Sequence, residues 1–215
     1  MNRREFCAGI AGAAAIAAAG LPQLAWAQKK PEEGHEYKAL DKRAPVDTPA
    51  GKVEVIEFFW YSCPHCNAFE PQLQAWSKKL PADVVLRRVP VAFRDSFVPQ
   101  QRLYYALEAM GKVEELHAKV FHAIHVDKQP TDKEDQILAW AQKNGLDKAK
   151  FQEIYNSFSV QTKARKAKQL QDAFQVEGVP ALGIAGRWYT DGSMAGNMGR
   201  ALQVTDYLVG EARKG

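Results

Sequence analysis

The sequence predicts an α/β chain in which a βαβ unit and a ββα unit are separated by a block of helices. Three observations carry this. The near-continuous apolar run Val53–Tyr61, rich in β-branched and aromatic residues, reads as a central strand covered on both faces. Between Phe97 and Ser157, segments repeat apolar residues at helical spacing, broken at Gly111, Gln129-Pro130 and Gly145. Strand character then returns on either side of Gly186, ahead of a final helical segment.

Taken in order, residues 28–50 are polar, with one alternating patch at Tyr37–Leu40 that reads as an edge strand. After the run Val53–Tyr61 comes Pro64, suited to the first turn of a helix because its missing N–H is not needed there, which makes Cys63 the N-cap. Phe69, Leu73, Trp76 and Leu80 recur on one face of that helix, while Glu70, Lys78 and Lys79 fall elsewhere, and Pro71 is expected to kink it. Val84–Phe93 reads as a second strand interrupted at Pro90. Helical patterns cover Pro99–Met110, Val113–Val126, Asp132–Asn144, Asp147–Ser157 and Val160–Phe174. The closing unit is a strand Ala181–Ala185, a strand Arg187–Thr190, a Gly-rich loop Asp191–Gly199 and a helix Ala201–Arg213.

The first residues read as an address rather than as part of the fold. Arg3-Arg4 precedes an Ala-rich apolar stretch that ends at the small-x-small site Ala25-Trp26-Ala27, so residues 1–27 are expected to be a cleaved signal peptide. Arg3-Arg4-Glu5-Phe6 also resembles a twin-arginine signal. Removing the segment takes the formal net charge from +4 to +3, since Arg3, Arg4 and Glu5 leave with it. Nothing in that balance calls for nucleic acid, and the basic run Lys163, Arg165, Lys166, Lys168 reads as a solvated helix face.

Of the three cysteines, Cys7 lies in the leader, so only Cys63 and Cys66 remain, in the motif Cys63-Pro64-His65-Cys66. A zinc site wants four ligands and no second pair is present, so no metal is expected. As a structural staple, so small a loop would contribute about 2 kcal/mol, which a domain of this size hardly needs. A dithiol at a strand-to-helix junction is instead placed for exchange: the helix N-terminus favours the thiolate, and the thiolate is what attacks or leaves a disulfide. Cys63 is then the exposed nucleophile and Cys66 the buried resolving thiol. Glu57, inside the apolar run, needs a raised pKa or a partner. His117, His122 and His125 lack a clean ligand spacing and read as ordinary histidines. Phe93, Phe97, Tyr104, Tyr105 and Phe121 belong to the helical core or line a groove.

This element order, with Cys-x-x-Cys at the end of the strongest strand, resembles a thioredoxin-like fold carrying an inserted all-helical subdomain. The divisions expected are 28–96 and 161–215 for the two thioredoxin-like parts and 97–160 for the insert. The run Glu57-Phe58-Phe59-Trp60-Tyr61-Ser62-Cys63-Pro64-His65-Cys66 and the segment Gly178-Val179-Pro180-Ala181 are similar to the active-site strand and the cis-proline loop of the DsbA family of periplasmic thiol:disulfide oxidoreductases.

That resemblance implies several site roles. His65 would help stabilise the Cys63 thiolate, and Glu57 would assist proton movement at the buried thiol. Arg88 would stand where the family more familiarly has lysine; it can pair with Glu57 but cannot relay a proton. Pro180 would follow a cis bond, with the Val179 backbone offered to an extended substrate strand. The implied activity is a monomeric periplasmic disulfide oxidase with no cofactor beyond the Cys63–Cys66 disulfide. It would act on reduced or unfolded exported proteins and be reoxidised by a quinone-linked membrane partner of the DsbB type. Two rivals stand beside it. An isomerase or reductase is disfavoured because family isomerases carry an N-terminal dimerisation domain, and only residues 28–52 precede the first strong strand. A chaperone-like peptide-binding module with merely structural cysteines would keep its activity in Cys63→Ser.

Overall fold

The computed structural model describes residues 29–214, so the expected signal peptide and Cys7 lie outside the described residues. Its sheet has strands β1 (Lys38–Ala39), β2 (Val53–Phe59), β3 (Val84–Pro90), β4 (Ala181–Ile184) and β5 (Trp188–Asp191), in the spatial order β1-β5-β4-β2-β3. β2 pairs parallel with β3 and antiparallel with β4, and β5 and β1 continue the sheet antiparallel. The parallel pair is joined by helix α1 (Pro64–Ser77). Between β3 and β4 lie a 3-10 turn (Asp95–Phe97) and the helices α2 (Val98–Ala109), α3 (Val113–His125), α4 (Glu134–Lys143), α5 (Lys148–Tyr155) and α6 (Phe158–Ala173). Helix α7 (Met198–Ala212) closes the fold. The α/β, thioredoxin-like expectation with an inserted helical block matches this architecture.

Every residue of β2 is buried, as its composition requires of a strand covered on both faces. Strand alternation sends Val53 and Val55 to a layer with α1 and α7, against Phe69, Leu73, Leu182, Ile184, Leu202 and Leu208. Ile56 and Phe58 face the other layer, where Phe174 and the helical block cover them. Each fully buried aromatic of this kind contributes about 1.5–3 kcal/mol relative to exposure. Glu57 alternates with Val53 and Val55, so its carboxyl is directed into the α1 side.

Several boundaries differ from the sequence reading. The central strand stops at Phe59 rather than Tyr61, and β3 ends at Pro90 instead of running through it. Pro90 is tolerated because β3 is an edge strand and lacks a partner beyond it. The buried amides of Gln101 and Gln171 tie down this end, Gln101 donating to the Pro90 carbonyl (2.8 Å) and Gln171 accepting from the Ala92 N–H (3.0 Å). Helices α6 and α7 begin earlier than expected, because Ser157 and Asn197 accept from backbone N–H groups as N-caps, a signal the apolar periodicity does not carry. The expected boundary at residues 160 and 161 therefore falls in the first turn of α6. Helix α1 is continuous through Pro71. The β4–β5 hairpin turns on Ala185 (φ 53°) and Gly186 (φ 66°), the paired left-handed conformation that suits the twist of two antiparallel strands.

Candidate active site

The dithiol sits where β2 delivers the chain to α1. Cys63 is extended (φ −80°, ψ 117°) and its sulfur caps the helix, accepting from the Cys66 N–H at 3.4 Å. The two cysteines are unbridged. Contrary to the sequence expectation, Cys63 is only 8% exposed. The Val179–Pro180 loop lies against it, and the Cys63 thiol donates to the Val179 carbonyl at 3.3 Å. The Val179–Pro180 bond is cis, as the sequence reading expected. Cys66, one turn into α1, is fully buried.

The two thiols are driven apart electrostatically. Cys63 is lowered from 9.0 to about 6, first by the hydrogen bond with Cys66, against the cost of burial, then by the backbone N–H groups of Cys66 and His65 and last by the charge of His65. The helix N-terminus thus outranks the imidazole as the source of the effect. Burial pushes the Cys66 thiol far up, and its hydrogen bond to Cys63 and the charges of Cys63 and Glu57 push it further. His65 is exposed beside the sulfur and lines, with Val179, Pro180, Ser193 and Met198, a cavity of about 370 Å³.

Below the dithiol lies a cluster of charge. Glu57 is completely buried, and burial raises its carboxyl from 4.5 to about 8, although Arg88 opposes the shift. The β2–β3 register places Arg88 directly opposite Glu57. Its Nε lies 3.2 Å from Glu57 Oε2, a close charge contact whose angle makes no hydrogen bond. Arg88 Nη2 donates instead to Glu70 Oε1 at 2.7 Å. The predicted Arg88–Glu57 pairing is therefore present, but Arg88 is shared.

Glu70 is the residue that sequence reasoning set aside. Apolar periodicity places it off the buried face of α1, yet it is buried, because the helix packs against α3 of the helical block as well as the sheet. The signal that could have found it is its position one turn after Cys66, at i+4. His117, read as an ordinary histidine, is buried among Phe59, Tyr61, Tyr104 and Phe121, 3.5 Å from Glu70 and 2.9 Å from the Tyr61 hydroxyl. His125 Nε2 meets the Tyr61 carbonyl at 2.8 Å, and His122 is an exposed partner of Asp127. The aromatics divide: Tyr104, Tyr105 and Phe121 are core, Phe97 stacks on Trp60 at 3.7 Å, and Phe93 is partly exposed. Gln100 bridges Ser62 to Thr131 and so fastens the motif's entry to the insert.

A thiol with a depressed pKa beside a buried partner thiol is suited to disulfide exchange, and comparison with known proteins points the same way. Residues 54–202 match the model of the DSBA-like thioredoxin domain. The chain is 42% identical over 201 residues to the thiol:disulfide interchange protein DsbA of Bordetella pertussis, covering 93% of this chain and 95% of that protein. It is 40% identical over 180 residues to DsbA of Pseudomonas aeruginosa, covering 84% and 85%. The crystal structure of Pseudomonas aeruginosa DsbA superposes with a TM-score of 0.81 at 39% identity, covering 86% of this chain and 95% of that one. The oxidoreductase DsbA of Xylella fastidiosa superposes at 0.81 with 29% identity, covering 86% and 100%. With its dithiol at the head of α1 and the cis-proline loop against it, the chain belongs to the DSBA-like thioredoxin domain family and is a thiol:disulfide oxidoreductase.

Proposed function

We propose that this protein is a periplasmic disulfide oxidase that donates the Cys63–Cys66 disulfide to reduced exported proteins. The observation that carries the direction is the asymmetry of the two thiols, with Cys63 near 6 and Cys66 raised by burial. Oxidation removes the favoured thiolate, so whatever stabilises the thiolate stabilises the reduced enzyme and makes the disulfide a better oxidant.

In the forward reaction a substrate thiolate attacks Cys63 Sγ. The Cys63–Cys66 bond breaks, its electron pair leaves on Cys66, and a mixed disulfide forms between substrate and Cys63. Cys66 is buried and takes a proton, for which the neutral Glu57 carboxyl is the acid. A second substrate thiolate then attacks the substrate sulfur of the mixed disulfide and expels the Cys63 thiolate, a good leaving group because of its low pKa. The substrate has lost two electrons and the enzyme holds them as its dithiol. Val179 and Pro180 border the cavity beside His65, where an extended peptide can align with main-chain groups and so be bound with little sequence demand. His65 adds positive charge at Cys63, Pro64 starts the helix, and Arg88 balances Glu57 once the proton has gone.

Residues 1–27 supply export and are cleaved after Ala27, by the twin-arginine or the general route, and the protein works as a monomer. Among the described residues no helix is long and apolar enough to cross a membrane. Reoxidation falls to a DsbB-type quinone-linked membrane protein, which accepts the two electrons through a mixed disulfide with Cys63. The deciding test is thiolate absorbance of the reduced protein against pH, paired with its glutathione equilibrium. A transition near 6 with the equilibrium far towards the dithiol supports the oxidase. A transition at the ordinary thiol value of about 8.5, with a disulfide that glutathione does not reduce, overturns it and leaves a structural staple.

A further inference from the structure

Two carboxylates share one guanidinium under the dithiol, and a third group is turned towards only one of them. Arg88 donates Nη2 to Glu70 at 2.7 Å and sets Nε 3.2 Å from Glu57 without a hydrogen bond. Glu70 Oε2 has His117 Nε2 at 3.5 Å, a contact at the outer edge of hydrogen-bond reach, and neither atom has a hydrogen-bond partner among the described residues. The other ring nitrogen, Nδ1, meets the Tyr61 hydroxyl at 2.9 Å. Tyr61 can serve either tautomer, and the carboxylate, which only accepts, selects the one with the proton on Nε2. The buried Tyr61 hydroxyl stays protonated and can donate to Nδ1, which leaves the N–H on Nε2 facing the carboxylate. The opposite tautomer would set the Nε2 lone pair against the Glu70 oxygen.

We propose that His117 is a positioning residue that decides where the one proton shared by Glu57 and Glu70 resides: by donating Nε2–H to Glu70 it keeps that carboxylate charged and leaves the proton on Glu57, beneath Cys66. The proposal rests on reading Cys66 as the thiol that must be reprotonated. Two adjacent buried carboxylates with a single cation cannot comfortably both ionise, so the proton goes to whichever has fewer donors. Glu70 has Arg88 and His117; Glu57 has only the misaligned edge of Arg88. The directions agree with this. Burial works against the Glu70 charge, but its contact with His117 and then Arg88 hold its carboxyl below the usual range, whereas Glu57 is raised. His117 itself is held below its ordinary value by burial, so it acts as a neutral donor.

The groups facing this cluster come from five elements: Glu57 and Tyr61 from β2 and its exit, Arg88 from β3, Cys66 and Glu70 from α1, Tyr104 from α2, and His117 with the more distant Glu114 from α3. In the forward reaction the proton moves from the Glu57 carboxyl to the Cys66 sulfur as the disulfide bond breaks, leaving Glu57 as an anion beside Arg88. Glu57 then regains a proton from solvent, and on reoxidation its anionic form takes the Cys66 proton. A helix of the insert thereby sets the acid used by the catalytic layer.

The test is carboxyl titration by carbon-13 NMR of the reduced full-length mature protein labelled at glutamate, with assignment by Glu57→Gln and Glu70→Gln. In the wild type the carboxyl titrating near 8 is expected to be Glu57. In His117→Leu the high transition passes to Glu70, and Glu57 falls by about one pH unit or more, a tenfold change in its protonation equilibrium. In the same variant, the pH profile of disulfide transfer to a dithiol peptide moves with Glu57. His117→Gln, which keeps a donor, restores both. Should His117→Leu not fold, Tyr61→Phe leaves Nδ1 without its partner, loosens the ring that faces Glu70 and shifts Glu57 in the same direction. An unchanged Glu57 titration in the folded variants overturns the proposal. Because the titration needs no turnover, failure of the oxidase reading would show separately, in the glutathione equilibrium of the wild type.

Discussion

The low Cys63 pKa makes the stability of the reduced protein depend on pH in a defined window, and comparison with the oxidised form isolates the effect. Folding lowers the Cys63 thiol from 9.0 to about 6. A group depressed in the folded state contributes stability that is present above its unfolded value and is lost as pH falls through the folded one. The full shift corresponds to about 4 kcal/mol at 1.36 kcal/mol per pH unit, and solvent contact at the sulfur reduces this to about 2–3 kcal/mol. The oxidised protein has no thiolate and lacks the dependence. Glu57, raised to about 8, works in the opposite sense, its contribution present below 4.5 and lost as pH rises through 8, and repeating the comparison in Glu57→Gln removes it. Cys66, raised by burial, remains a thiol throughout the window and subtracts only above it. Guanidinium unfolding of both forms from pH 6 to 9 should therefore show the reduced-minus-oxidised stability growing by about 2–3 kcal/mol, or about 5–10 °C in Tm. Reduced Cys63→Ser should show none of this slope. A difference that stays flat across the window in the wild type would refute the helix-terminus account of the thiolate.

Further outcomes are expected elsewhere. Glu57→Gln removes a buried, poorly bonded carboxyl while Glu70 still pairs Arg88, so unfolding at pH 8 and pH 5 should show a gain of about 1–3 kcal/mol at the higher pH only, with slower disulfide transfer. Gly183→Ala would set a Cβ 2.5 Å from the ring of Phe174, itself fully buried and packed 5.3 Å from Phe58, so urea melts should lose about 1–3 kcal/mol. Asn197→Ala deletes the N-cap of α7, a bond of 2.8 Å to the Arg200 N–H, and should cost about 1 kcal/mol while loosening the wall of the peptide cavity, visible as a raised KM for a peptide substrate.

Much of the site was legible because its signals are local. Cys63, Pro64 and Cys66 are contiguous, and the proline marks a helix start whatever surrounds it. Glu57 was visible as an acid in an apolar strand, although Glu54, equally buried and paired with Arg87 at 3.4 Å, carries the same signal without touching the dithiol. Glu70 was misplaced because helical periodicity assumes one buried face, and α1 is covered by the sheet and by the insert.

The sequence by itself determined the strand that ends in a dithiol, the helix terminus that activates it, the helical insert and the proline loop, since each depends on neighbours a few residues away. Tertiary structure alone decided that Arg88 is shared, set opposite Glu57 by the parallel register but bonded to Glu70. It alone brought Val179 onto the Cys63 sulfur and His117 onto Glu70, across long stretches of chain. Those contacts follow from how the layers pack, and packing is a property of the folded whole that no local pattern encodes.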